Sequence, residues 1–308
     1  MISIKKVHDA FVSNWITFVV YVCVVLAFRF WSDWSNFALW GNTLVQIGIA
    51  FFLLQLNHIF TIIRRRTLLP MLFYIILVGC NPIFNLSLTS SLAALLMMVN
   101  YLFLFQTYQK PNSQLSALNI SLILVLGSLF WPQFLLFFPI FWIGFYWFHS
   151  FNLRVFLASL TGIVVVYLFV FAWSIYRNDW RLFLSFLPKL GEIFSVGKPN
   201  LSNYEWISLS VILFTYIFAG FNLFIGSISE KIITISFLKY LYVSSFFIFA
   251  VTFVQSEYRS YWESIAYISI ALVLAHYFTL ANKQYVKILM LIFLLTLLIV
   301  GFLQHFPA

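Results

Sequence analysis

The chain is a succession of apolar runs, most of them close to twenty residues long, separated by short polar segments. The hydrocarbon core of a bilayer is about 30 Å thick, so a helix needs about 20 apolar residues to cross it. On this template the runs predict helices at about 11–29, 40–62, 70–80, 88–108, 153–175, 206–227, 233–254, 263–281 and 286–305. A longer apolar run extends from Leu115 to Phe148.

The composition supports this reading of the runs. Hydrophobic residues make up 63% of the 308 residues and charged residues 8%, whereas about 25% of a soluble domain is charged. Seventeen Lys and Arg and eight Asp and Glu residues cannot cover the surface of a soluble globule of this length. We therefore exclude a soluble enzyme, a nucleic-acid-binding protein and a disordered chain. The prediction is an all-α, polytopic bundle that forms a single integral membrane domain over residues 1–308.

The long run at 115–148 needs a separate length argument. Its 34 residues would form about 51 Å of helix at ~1.5 Å per residue, whereas two full crossings need about 60 Å. Pro132 lies near the middle and cannot continue the hydrogen-bond ladder of a helix. The sequence therefore predicts two short helices with a break at Trp131-Pro132-Gln133, which brings the total to about eleven. The pair either crosses twice or dips in and returns, and both alternatives leave its ends on the same side.

The distribution of charge predicts the orientation of the chain. Cytoplasmic loops of membrane proteins carry an excess of Lys and Arg. With the N-terminus inside, eleven Lys and Arg residues fall in cytoplasmic segments and six in outer segments. Six of the eight acidic residues, including Asp33, Glu205 and Glu263, then fall on the outer side. We predict a cytoplasmic N-terminus and expect no Asp or Glu within a span, which argues against a proton- or sodium-coupled carrier.

Five outer residues are candidates for a functional site: Arg29, Asp33, Arg177, Arg181 and Arg259. Arginine guanidinium groups bind phosphate through paired hydrogen bonds, and the many outer tryptophans could stack on a sugar or line a lipid tail. Two simpler interpretations stay open. The aromatic residues could form the belt found at membrane interfaces, and Asp33 could form a surface ion pair with Arg29 worth ~1 kcal/mol or less. No spacing typical of a metal site occurs, and we predict no metal and no cofactor.

Four segments carry a resemblance that covers about 300 residues. They are RRRTLLP at 64–70, GSLFWPQFLLFFPIFW at 127–142, SFNLRVFLASLTG at 150–162 and AHYFTLANKQYVKILML at 275–291. With them the chain resembles a multi-pass inner-membrane family of Bacteroidota-type bacteria, a domain of unknown function. The resemblance implies a location in the bacterial inner (cytoplasmic) membrane and brings no known activity.

The 119–162 region is also similar to the short-helix region of membrane-embedded glycosyltransferases of the GT-C fold, which use polyprenyl-phosphate sugars. That region has a short helix, a Pro-broken turn, a second short helix and an Arg at the start of the next span. The resemblance implies that Asp33, in the first outer loop, is the catalytic base, and that Arg29, Arg177, Arg181 and Arg259 contact phosphate. The chain departs from the family in its short first outer loop, in lacking an acidic pair, and in lacking a large soluble domain.

Three functions follow from these observations. The leading one is a structural or accessory membrane protein of the cell envelope. The alternatives are a GT-C-like transferase acting at the outer leaflet and a lipid or small-molecule permease with a cavity around Pro132. The expected partners are membrane lipid, a polyprenyl-phosphate lipid and other envelope membrane proteins, and no nucleic acid. An outward cavity lined by Asp33 and basic residues would favour the enzyme, a sealed bundle the accessory protein, and a cavity at the midplane the permease.

Overall fold

The computed structural model describes residues 15–30, 36–64, 67–85, 87–179, 181, 183, 197, 201–225, 232–280 and 284–305. Within these residues the chain forms eleven α-helices and no strand, which confirms the predicted all-α class. The helices are α1 (Trp15–Phe30), α2 (Phe37–Phe60), α3 (Leu69–Gly79), α4 (Leu88–Phe105), α5 (Gln114–Ser128), α6 (Phe137–Trp147), α7 (Leu153–Tyr176), α8 (Asn203–Ile225), α9 (Ile232–Val254), α10 (Arg259–Thr279) and α11 (Gln284–His305). From α2 onward, the ends of the predicted spans lie within four residues of the observed ends.

Six of the described helices are long and apolar enough to span a membrane: α2, α4, α7, α8, α9 and α11. Helices of this length and hydropathy are what a multi-pass membrane protein requires. Three further apolar elements are shorter, namely α3, α5 and the segment Pro132–Trp147.

The chain divides into two compact units. The first unit consists of residues 1–95 and 198–308, and the second of residues 96–197. The boundary falls within α4, so α1–α3 and α8–α11 belong to the first unit and α5–α7 to the second. The single integral domain remains a prediction.

The core of the first unit is built on α3 and α10. Every residue of α10 from Trp262 to Thr279 is buried, and so are ten of the eleven residues of α3. A helix that is apolar on all sides and buried on all sides belongs inside a bundle. With eleven residues, α3 is about 16 Å long at ~1.5 Å per residue, and it packs against α1, α2 and α10.

The second unit contains the predicted break. Helix α5 ends at Ser128, a 3₁₀ helix occupies Pro132–Leu136, and α6 follows. Two short helices separated at Trp131-Pro132-Gln133 are therefore confirmed. Trp131, Gln133 and Phe134 are buried, as is required of irregular backbone at membrane depth. Helix α5 packs along α7.

Candidate functional site

The polar residues of the first unit converge on the turn between α3 and α4. Asn81 lies two residues after the end of α3, and its side-chain oxygen accepts a hydrogen bond from the backbone N–H of Ile83 at 3.2 Å. Pro82 then begins a 3₁₀ helix that ends at Phe84. This local geometry leaves the carbonyls of Phe84 and Asn85 to accept hydrogen bonds from side chains of other helices. We call residues 81–85 the polar turn.

Arg29 lies on one side of the polar turn, in the last turn of α1, and is only 4% exposed. Its guanidinium donates to Asn85 Oδ1 at 3.0 Å, to Thr43 Oγ1 at 3.3 Å and to the carbonyl of Phe84 at 3.3 Å. All three acceptors are uncharged, and among the described residues no carboxylate pairs with Arg29. A buried cation whose known partners are neutral is a favourable place for an anion to bind.

Helix α2 fixes the turn beside Arg29. Asn42 donates to the carbonyls of Phe84 and, at 3.0 Å, of Asn85. Gln46, one helical turn further on, donates to Ser91 Oγ at 3.0 Å and so connects α2 to α4. These residues share one face because side chains four apart lie above one another on a helix. The polar face of an otherwise apolar helix was readable in the sequence, but its partners in the turn were not.

Arg29 also lines a narrow crevice between α1, α2 and α3 with a volume of about 20 Å³. Thr43 and Gln46 provide its other polar side chains, and the remaining walls are mostly aliphatic: Val22, Val25, Leu26, Ile47, Ile75 and Val78. Such walls suit hydrocarbon, whereas the guanidinium suits an anionic oxygen. The crevice therefore has the chemistry of an anionic amphiphile site.

A second network contacts the polar turn at Asn81, and in it Arg259 is placed between two carboxylates. Its guanidinium donates to Glu205 Oε1 at 2.8 Å and to Glu263 Oε1. The other oxygen of Glu263 accepts from the hydroxyl of Tyr267 at 3.1 Å and from the amide of Asn81 at 3.5 Å. We call these five residues the carboxylate network. It joins α8, α10 and the polar turn.

Sequence reasoning missed this network. Glu263 is predicted on the outer side, and the structure buries it completely at the start of the second turn of α10. Burial is possible because Arg259 lies one helical turn earlier and compensates the charge. The spacing of Arg259 and Glu263 was a usable signal.

A second signal lay at the start of α8. The backbone N–H of Ser202 donates to Glu205 Oε2 at 2.8 Å, and the N–H of Glu205 donates to Ser202 Oγ at 3.3 Å. This reciprocal pair is a capping box, which S-x-x-E before an apolar run predicts. It orients Glu205 so that its other oxygen reaches Arg259.

The predicted site residues fall in different places. Arg29 contacts the polar turn at Phe84 and Asn85, whereas Arg259 is bound to two carboxylates, one of which contacts Asn81. Asp33 lies outside the described residues. The roles assigned to these residues stay predictions.

Arg177 and Arg181 belong to the second unit and are exposed. The guanidinium carbon of Arg177 lies 5.2 Å from the centre of the Trp173 ring, a cation–π contact at the end of α7. The backbone N–H of Arg181 donates to Asp179 Oδ1 at 3.1 Å. Both guanidinium groups are therefore surface groups, and a phosphate role for them stays a prediction.

Within the described ranges, no three His, Cys, Asp or Glu side chains lie together as a metal site would need. No protein-family model, no curated protein and no solved structure matches the chain.

Proposed function

We propose that the chain is a multi-pass protein of the bacterial inner membrane that binds a phosphate-bearing lipid at Arg29. The observation that carries the proposal is the burial of Arg29 among uncharged acceptors beside an apolar crevice. The simplest form of this function is an accessory role in the cell envelope, because lipid binding at Arg29 needs no catalytic residue.

The argument for a phosphate rests on charge and on geometry. Desolvating a cation is unfavourable unless an opposite charge or several hydrogen bonds compensate it. A guanidinium carries five N–H donors in a planar fork that matches phosphate oxygens, and the described partners of Arg29 accept three hydrogen bonds. The crevice has a volume of only about 20 Å³, so the acyl or prenyl chain of the same molecule would lie outside it, along the aliphatic side chains at its rim.

A GT-C-like transferase acting on a polyprenyl-phosphate sugar is the second candidate. The specific observation that favours it is the order α5, 3₁₀ break at Pro132, α6, and Arg154 in the first turn of α7. In this case the lipid held at Arg29 would be the donor, and Asp33 would be the base.

The proposal can be tested with two lipids that differ only in their phosphate. The purified protein should retain phosphatidic acid in preference to the diacylglycerol with the same acyl chains, as measured by native mass spectrometry. Arg29→Gln should weaken phosphatidic acid binding at least about tenfold, because it removes charge-assisted hydrogen bonds worth about 1.5–3 kcal/mol. Arg29→Lys, which keeps the charge but loses the fork, should give intermediate binding.

The matched control is Arg154→Gln, which removes an exposed arginine at the start of α7 and should leave phosphatidic acid binding unchanged. Equal binding of the two lipids to the unaltered protein would contradict the proposal, and so would undiminished binding to a folded Arg29→Gln variant. If the chain is a transferase, Asp33→Asn should abolish sugar transfer while phosphatidic acid binding persists.

A further inference from the structure

The carboxylate network contains more negative than positive charge in a buried place. Glu263 has no exposed surface, and the side chain of Arg259 is 6% exposed and that of Glu205 18%. Two carboxylates thus share one guanidinium. We infer that this network is a proton-binding site, which holds one proton at neutral pH on the side chain of Glu263. The inference concerns residues that contact the polar turn at Asn81, whereas Arg29 contacts it at Phe84 and Asn85, and it does not depend on lipid binding.

The charge balance of the network favours one bound proton. Among the described residues, the charged and titratable groups that face Glu263 are Arg259 and Tyr267 from its own helix and Glu205 from α8. The polar turn adds the neutral amide of Asn81. With both carboxylates ionised the network carries one net negative charge, which is unfavourable where water is excluded. One bound proton makes the network neutral.

The hydrogen bonds of the two carboxyl groups assign the proton to one of them. Both oxygens of Glu205 accept from charged or fixed donors, the Arg259 guanidinium and the N–H of Ser202. The Oε2 atom of Glu263 instead faces the hydroxyl of Tyr267 at 3.1 Å. A hydroxyl can accept as well as donate a hydrogen bond. A proton on Glu263 Oε2 would therefore be donated in a hydrogen bond to the Tyr267 oxygen. A proton on either oxygen of Glu205 would instead displace a donor that is already bound there.

A cavity beside the network provides a route for the proton. Tyr267 and Asn81 line a small cavity of about 10 Å³ between α3, α8, α10 and α11. Ser208 and Gln304 add polar groups to its wall, and a polar cavity with several partners is where buried water binds. When a hydronium ion in the cavity gives a proton to the Tyr267 oxygen and Tyr267 passes its own hydroxyl proton to Glu263, the ion is left as water, Tyr267 ends unchanged and Glu263 gains one proton.

An unsatisfied donor also marks the network as incomplete. The Nη2 atom of Arg259 is buried and, within the part of the chain that the structure describes, has no hydrogen-bond partner. Buried guanidinium donors are normally satisfied. A water molecule bound beside the network would satisfy this donor and would extend the hydrogen-bonded path from the cavity.

The test counts protonated carboxyl groups in the full chain by their carbonyl stretch in the infrared, in lipid nanodiscs at neutral pH. The unaltered protein should show one protonated group that disappears in Glu263→Gln. It should also disappear in Glu205→Gln, because one carboxylate then faces one guanidinium. Arg259→Gln should show one additional protonated group. Tyr267→Phe should retain the band at a shifted frequency, because the acceptor of its hydrogen bond is lost.

The control is Glu257→Gln, which removes an exposed carboxylate just before α10 and should leave the band unchanged. The inference is overturned if the unaltered protein shows no protonated carboxyl group at neutral pH. It is equally overturned if the band persists in Glu205→Gln. Glu205 is partly exposed, so this second variant keeps the test decisive even where Glu263→Gln does not fold.

Discussion

At the scale of single residues, the buried charges of the first unit depend on partners that are distant in the sequence. Asn81 and Glu263 are 182 residues apart, Arg29 and Asn85 56, and Arg259 and Glu205 54. A buried charge that loses its partner is strongly destabilising, whereas replacing the whole pair can be nearly neutral. These contacts therefore stabilise the fold only when every partner is present.

We expect Arg259→Met to lower the free energy of unfolding by about 3–5 kcal/mol, because it removes the cation shared by the buried Glu263 and the partly exposed Glu205. The double variant Arg259→Met/Glu263→Gln should recover part of this loss, since it also removes one of the two carboxyl groups that shared the guanidinium. Thermal unfolding of the purified protein measures both effects, with Arg154→Met as the exposed control. Additive losses in the double variant would show that Arg259 and Glu263 do not interact energetically.

At the scale of helices, small residues set how closely neighbours approach. In the second unit, a Cβ atom built on Gly162 of α7 would lie 1.9 Å from Ser121 Oγ and 3.2 Å from the carbonyl oxygen of Leu118, both in α5. A Cβ atom on Gly48 of α2 would meet nothing within 4 Å. Close backbone approach at Gly, Ser and Ala is the usual way in which helices associate in lipid.

The same substitution should therefore have opposite effects at these two glycines. Gly48→Ala should raise the free energy of unfolding by about 0.5–1 kcal/mol, because alanine is the better helix former and its methyl group meets open space. Gly162→Ala should lower it by about 1–3 kcal/mol, because its methyl group forces α5 and α7 apart. Thermal unfolding of the two variants measures both, and a stabilising Gly162→Ala would contradict the packing described here.

The existence of most helices was predictable from the sequence, but their neighbours were not. Apolar run length and Pro132 give the spans and the break, because both act locally. Apolar side chains face lipid on the outside of a bundle and protein on the inside, so hydropathy does not reveal that α3 and α10 form the core. The same limit applies to the candidate site: the sequence singles out Arg29 and Arg259, but the burial of Glu263 depends on contacts between distant residues.

At the scale of the whole molecule, the helix ends that meet at the polar turn are those expected if successive helices cross a membrane in opposite directions. Within the first unit these are the ends of α1, α3 and α11 and the starts of α2, α4, α8 and α10. Each of these helices has the direction that a cytoplasmic N-terminus predicts if the polar turn faces outward. The side of the membrane itself is predicted by the distribution of Lys and Arg.

The most direct test of this account is the accessibility of single cysteines in intact cells, in a Cys23→Ser background that keeps the buried Cys80. Phe37, at the start of α2, and Asp179, after α7, are exposed and predicted outside, whereas Asn112, between α4 and α5, is exposed and predicted inside. We expect a membrane-impermeant thiol reagent to label Phe37→Cys and Asp179→Cys directly, and Asn112→Cys only after the membrane is permeabilised. Labelling of Asn112→Cys in intact cells, with Phe37→Cys and Asp179→Cys protected, would place the polar turn inside and contradict the account.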